Sequence, residues 1–98
     1  MIDADSKLSI INKMMWDYNI SPLDCLAVLE GKQVLAGHYD EHQLFKKLLE
    51  SFPWYTVMDL LPIERIKLLL TDSLIQDLRS EQLKKRYDFI RTRLPQAL

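Results

Sequence analysis

The four prolines of this chain divide it into segments that a single long helix cannot span. Pro22, Pro53, Pro62 and Pro95 each border an apolar stretch, and Pro53 and Pro62 are only nine positions apart. Proline removes a helical N–H and disfavours helical geometry in the residue before it. Because only two glycines occur in 98 residues, the sequence predicts short helices with short connections between them.

Apolar residues recur at steps of three and four, and alternation typical of strands never lasts more than a few residues. Residues whose side chains can accept hydrogen bonds from free helical N–H groups stand before these stretches. The predicted N-caps are Asp5 or Ser6, Ser21, Asp40, Thr71 or Asp72, and Ser80. The first predicted helix ends near 16–19. The other predicted helices cover about 22–30, 41–52, 54–61, 62–70 and 81–94, and a short helical turn is predicted within 71–78. The expected fold is all-α, a single compact domain over residues 1–98 with five to seven short helices.

Composition excludes several classes of protein. A chain with 48% hydrophobic and 28% charged residues is not typical of a disordered segment. Its one cysteine, Cys25, cannot form an internal disulfide or a thiolate zinc cluster. No apolar run approaches the ~20 residues that cross a bilayer, and the acidic start lacks the basic region of a signal peptide. We therefore expect a cytoplasmic protein that binds no membrane.

Both histidines lie in the segment GHYDEH, which contains the His-x-x-Glu-His spacing of some zinc peptidases. Asp40 is a good N-cap, which places His38 before the helix and His42 within it. A third ligand would have to come from a distant carboxylate such as Glu64 or Glu81. We therefore predict no metal and no cofactor. Since no phosphate loop or nucleophile motif occurs either, we expect a protein that is not an enzyme and has no catalytic residues.

The charge is uneven along the chain. The first 60 residues carry five Lys/Arg and nine Asp/Glu, whereas the last 38 carry eight and five. In the last predicted helix the candidate nucleic-acid contacts are Lys84, Arg86, Arg91 and Arg93. On a helical wheel they lie on both sides of the apolar stripe, where their stems can cover the edges of the core. Solvation of this helix is the favoured interpretation, and nucleic-acid binding is the alternative.

Two aromatic clusters favour a contact with another protein. The first contains Trp16, and the second contains Trp54, Tyr55 and Met58. Tryptophan, tyrosine and methionine are enriched in protein interfaces. Short helices cannot bury every side of such clusters, so we expect these four residues to contribute to an interface. The favoured function is a non-enzymatic protein-interaction module that forms a homodimer or binds another protein.

Three segments carry a resemblance to a known group of proteins. They are INKMMWDYNISPLDCL (11–26), IERIKLLLTDSLI (63–75) and LKKRYDFIRTRL (83–94). With Trp16-Asp17 after the first helix and Tyr87-Asp88-Phe89 in a basic final helix, the chain resembles a family of short, uncharacterised helical bacterial proteins. Some of these are encoded beside nucleotidyltransferase-like toxins. The resemblance implies an antitoxin-like or accessory partner of another bacterial protein.

Overall fold

The computed structural model describes residues 3–15 and 19–94, and within these ranges the chain forms seven helices. They are α1 (Ala4–Met15), α2 (Pro22–Leu29), α3 (Glu41–Ser51), α4 (Trp54–Leu60), α5 (Ile63–Leu69), α6 (Asp72–Gln76) and α7 (Glu81–Arg93). Extended pairing in the described part of the chain is limited to one isolated bridge, between Ala36 and Tyr39. The prediction of an all-α domain with five to seven short helices is confirmed.

Prolines and one capping box fix the starts of four helices. Pro22 is the first residue of α2, while Pro53 and Pro62 occupy the N-cap positions of α4 and α5. At the start of α3, Oδ1 of Asp40 accepts a 2.9 Å hydrogen bond from the N–H of Gln43. Oε1 of Gln43 in turn accepts a 3.0 Å bond from the N–H of Asp40. The cap predicted at Asp40 is therefore confirmed, with Gln43 as its reciprocal partner.

The cap of α1 differs from the prediction. Oδ1 of Asp3 accepts a 2.8 Å hydrogen bond from the N–H of Ser6, so the choice of Asp5 or Ser6 as the cap is wrong. This backbone hydrogen bond lowers the pKa of Asp3, because it stabilises the ionised carboxylate. The sequence offers several competent caps in a row, and the structure uses the earliest of them. The predicted end of this helix falls on residues 16–18, which lie outside the described residues.

The other predicted caps differ in how their side chains act. Oγ1 of Thr71 and Oγ of Ser80 each accept a 3.1 Å hydrogen bond from an N–H in the first turn of α6 and α7, as predicted. Ser21 stands at the N-cap of α2, but its side chain makes no capping hydrogen bond. Beyond the other end of α2, Gly31 has φ +83°. This left-handed conformation suits glycine, as predicted for the end of that helix.

Helix α3 lies at the centre of the molecule. It packs against α1, α2, α4, α5 and α6. Its inward residues Leu44, Phe45, Leu48 and Leu49 are all buried, and they follow the spacing of three and four seen in the sequence. Helices α1 and α2 pack on each other along one side, and α7 packs against α6. With extents of 34 × 28 × 22 Å, the seven helices surround one core.

Arg65 of α5 links α2 to α3. Its Nε donates a 2.8 Å hydrogen bond to the carbonyl oxygen of Leu29, and Nη2 donates to that of Val28 at 3.4 Å. The same Nη2 lies 2.7 Å from Oε1 of Glu41 in the first turn of α3. A Cβ atom built on Gly31 would come within 3.1 Å of the Arg65 guanidinium carbon. The position of the Arg65 side chain therefore depends on the carbonyls at the end of α2 and on the open space at Gly31.

Candidate functional site

Helix α4 divides its side chains between the core and the surface. Trp54 is half-buried and meets the ring of buried Tyr87 edge-on, with centroids 6.1 Å apart and planes at 66°. Tyr55 is 71% exposed and Met58 is 51% exposed. Tyr55, Met58 and Asp59 share a face because they are three and four positions apart. Of the predicted interface residues, the structure thus brings Tyr55 and Met58 together at the surface and turns Trp54 inward.

Spacing places Trp54, Val57, Met58 and Leu61 on one stripe of a helix over 54–61, but these residues differ in burial. Val57 and Leu61 are buried, whereas half of the Met58 side chain faces outward. The helix ends at Leu60, so Leu61 reaches the core from a non-helical position with φ −129°. The helical wheel therefore stops applying one residue before the end of the predicted segment. The fourth candidate, Trp16, lies outside the described residues.

Beside Met58 the surface forms an apolar groove with a volume of about 480 Å³. Its walls come from the end of α4, the start of α5 and the two residues between these helices. The apolar side chains Met58, Leu61, Ile63 and Ile66 line it, and Lys7 of α1 borders it. The sequence contains the lining residues on either side of Pro62. Their arrangement around a groove depends on how α1 packs, and this could not be read from spacing.

The groove also carries one charge of each sign. Lys7 and Asp59 both border it. Neither side chain forms an ion pair with the part of the chain that the structure describes. We call the surface formed by Tyr55, Met58, Asp59, Lys7 and the groove the α4 surface. It combines exposed apolar area with two opposite charges that have no ion-pair partner among the described residues.

The four candidate nucleic-acid residues lie on two sides of α7. Nζ of Lys84 is 3.2 Å from Oε1 of Glu81 and the side chain is largely covered. Arg86, Arg91 and Arg93 are exposed. On the wheel Arg91 lies near Lys84, and Arg93 lies near Arg86. The structure therefore does not gather the four predicted residues into one site.

Phe89 is the surface residue that the sequence analysis missed. It is 58% exposed, and the guanidinium carbon of Arg93 lies 4.7 Å from its ring centroid. Tyr87 is buried, and Leu83, Ile90 and Leu94 are partly buried against the core. These four residues already fill the inner face of α7. A phenylalanine outside that stripe is the sequence signal that could have placed it at the surface.

The histidine segment has no arrangement suited to zinc catalysis. His38 lies in the connector before Asp40 and stacks on Tyr39 with centroids 4.5 Å apart. His42 lies in the first turn of α3, and its Nε2 is 2.8 Å from Oδ2 of Asp77. Across residues 3–15 and 19–94 no three His, Cys, Asp or Glu side chains are placed to share a metal ion. The short hydrogen bond gives His42 a structural role, in which it ties α3 to the end of α6.

Cys25 has the environment of a core residue. Its side chain is fully buried in α2. Burial raises the pKa of the thiol, and the neighbouring Asp24 carboxylate raises it further. A nucleophilic cysteine needs access and a stabilised thiolate, and Cys25 has neither.

None of the described helices is long and apolar enough to cross a membrane, and the longest, α7, has 13 residues. No protein-family model, curated protein or solved structure matches this chain. The resemblance to proteins encoded beside bacterial toxins therefore stays a prediction. Two exposed surfaces, one on α4 and one on α7, combine apolar or aromatic side chains with charged groups.

Proposed function

We propose that this protein is a non-enzymatic protein-interaction module, and that its partner is a second copy of the same chain bound through the α4 surface. The observation that carries the proposal is the position of Met58. Its side chain is half-exposed, follows Tyr55 by three residues on one helical face, and also lines the apolar groove. The exposed apolar area is thus continuous from the helix to the groove, and such patches often mark interaction sites.

The charges at the groove favour a second copy as the occupant. In a symmetric dimer each residue of the shared patch meets the equivalent patch of the other copy. A two-fold axis through the α4 surface can set each Lys7 against the Asp59 of the other copy, so that both charges are paired. A partner with one dominant charge would satisfy only one of them.

Sedimentation or light scattering over a wide range of concentrations tests this proposal. We expect the wild type to dimerise and Tyr55→Glu to remain monomeric, because the new carboxylate would be buried without a partner. Leu68→Glu is the matched control, since Leu68 is 68% exposed and does not line the groove. It should dimerise like the wild type, and circular dichroism should show native helix content in both variants.

Charge reversal tests the symmetry itself. Lys7→Glu alone and Asp59→Lys alone should each weaken the dimer, because they place like charges together across the axis. The double variant should recover most of the lost affinity. A wild type that stays monomeric at every concentration would overturn the proposal of a second copy. So would a Tyr55→Glu variant that dimerises as tightly as the wild type.

A further inference from the structure

The outward face of α7 carries an exposed aromatic ring among cations. Phe89 follows Lys85 by four residues and Arg86 by three, and Arg93 follows Phe89 by four. Side chains at these spacings are neighbours on one face of a helix. Lys85, Arg86 and Arg93 are exposed, as is Phe89. We call these four residues the α7 strip.

The two arginines of the strip have no carboxylate three or four positions away on their own helix, whereas Lys85 has Glu81 and Asp88 at those spacings. Glu81 is held by Lys84 at 3.2 Å, on the far side of α7 from Arg86. Asp88 is turned by about 100° from Phe89, as for any adjacent helical residues. Within the described part of the chain Lys85, Arg86 and Arg93 form no ion pair. The strip therefore presents two arginines away from the carboxylates of α7, and Lys85 beside them, although the whole chain has a net charge of −1.

The contact between Arg93 and Phe89 within the strip forms a surface on which a flat ligand can stack. The Arg93 guanidinium carbon lies 4.7 Å from the Phe89 ring centroid, so a delocalised cation and an aromatic ring already lie together. A nucleobase can stack on such a surface, and the sugar–phosphate backbone that continues from it carries the negative charge that the lysine and arginines attract. In a duplex the base faces are covered by their neighbours, and a side chain on a helix surface cannot reach them.

We propose that the α7 strip binds single-stranded nucleic acid, with one base stacked on Phe89 and Arg93, and with Lys85 and Arg86 on the adjacent phosphates. An acidic peptide would match the charges but would make no use of the exposed aromatic face. This site is separate from the α4 surface. A failure of the dimer proposal therefore leaves this one intact, and the reverse also holds.

Fluorescence anisotropy with labelled mixed-sequence single strands of RNA and of DNA tests the proposal. Affinity should fall with salt, with a slope of about −0.7 for each phosphate contacted, and Arg86→Gln should reduce that slope by about one such step because Arg86 contacts a phosphate. Phe89→Ala should weaken binding by about tenfold. Phe89→Leu should weaken it similarly because it keeps apolar area without an aromatic face, whereas Phe89→Trp should preserve it.

Lys84→Gln is the matched control, because Lys84 is already engaged with Glu81 and lies off the strip. It should change the affinity little, and all variants should keep the circular dichroism spectrum of the wild type. The proposal is overturned if no single strand binds at low salt. It is also overturned if a duplex or a polyglutamate probe binds as tightly as the single strands, or if Phe89→Leu binds like the wild type.

Discussion

Arg65 of α5 donates a 2.8 Å hydrogen bond from Nε to the carbonyl oxygen of Leu29, the last residue of α2, across 36 positions of sequence. The last carbonyls of a helix have no partner inside it, and here a charged side chain supplies one. Only 16% of the Arg65 side chain is exposed. The contact is therefore shielded from water and joins elements that are distant in the chain.

Arg65→Ala should lower the free energy of unfolding by about 2–3 kcal/mol, because it removes charge-assisted hydrogen bonds from partly buried carbonyls. Arg65→Lys should recover only part of this, since an ammonium lacks the planar fork that reaches two carbonyls and Glu41 together. Glu41→Gln is the comparison. Its side chain is 54% exposed, so its loss should cost under about 1 kcal/mol. Urea denaturation gives these values, and equal losses for Arg65→Ala and Glu41→Gln would contradict the assignment.

Truncating the N-cap side chain should affect stability differently in α2, where the cap is Ser21, and in α3, where it is Asp40. Asp40→Ala should cost about 1–2 kcal/mol, because the capping box with Gln43 satisfies two otherwise free N–H groups. Ser21→Ala should change stability by no more than about 0.5 kcal/mol, because its side chain makes no capping hydrogen bond. Thermal or urea unfolding of the two variants measures the difference. A similar cost for both would mean that the capping bond of Asp40 adds nothing.

Tyr87 buries its hydroxyl without a hydrogen-bond partner in the described part of the chain. Tyr87→Phe should therefore leave the free energy of unfolding unchanged or raise it by about 1 kcal/mol at neutral pH. A loss of more than about 1 kcal/mol would show that the hydroxyl has a partner. The ring itself, which packs on Trp54, is retained in this variant.

The burial of Tyr87 also predicts how the stability of the fold depends on pH. Burial raises the pKa of Tyr87, outweighing the opposing charge of Arg86. An unfolded tyrosine ionises near pH ~10. Above that pH the unfolded chain loses this proton while the folded chain keeps it, so stability falls as pH rises. Tyr87→Phe should show a shallower fall above about pH 10 than the wild type, as measured by urea denaturation at each pH. Identical slopes would contradict the raised pKa.

Local signals in the sequence predicted the helices well. A residue that starts or ends a helix acts on backbone within a few positions of itself, so its effect can be predicted without tertiary structure. The residues predicted correctly in this way are Pro22, Pro53, Pro62, Asp40, Thr71, Ser80 and Gly31. The cap of α1 was misassigned because Asp3, Asp5 and Ser6 are all competent, and the choice between them depends on where α1 starts to pack.

The surfaces were harder to predict for physical reasons. Arg65 was overlooked because its partners lie 36, 37 and 24 positions away, a relationship that no short pattern contains. The groove beside Met58 is bordered by Lys7, which lies about 50 positions away from the other lining residues. Tyr55 could be placed at the surface by the wheel alone. Phe89 could have been placed in the same way, from its position outside the stripe of Leu83, Tyr87 and Ile90.

The shortness of α4, α5 and α6 determines how the native state opens. These helices have seven, seven and five residues, far below the ~12–15 residues at which an isolated helix becomes marginally stable. None of the three can persist once its neighbours leave. Their amide protons should therefore exchange with solvent in one concerted subglobal event and not by separate fraying. Each of the three packs on α3, so we expect the segment from Pro53 to Leu78 to lose its helices when it separates from α3.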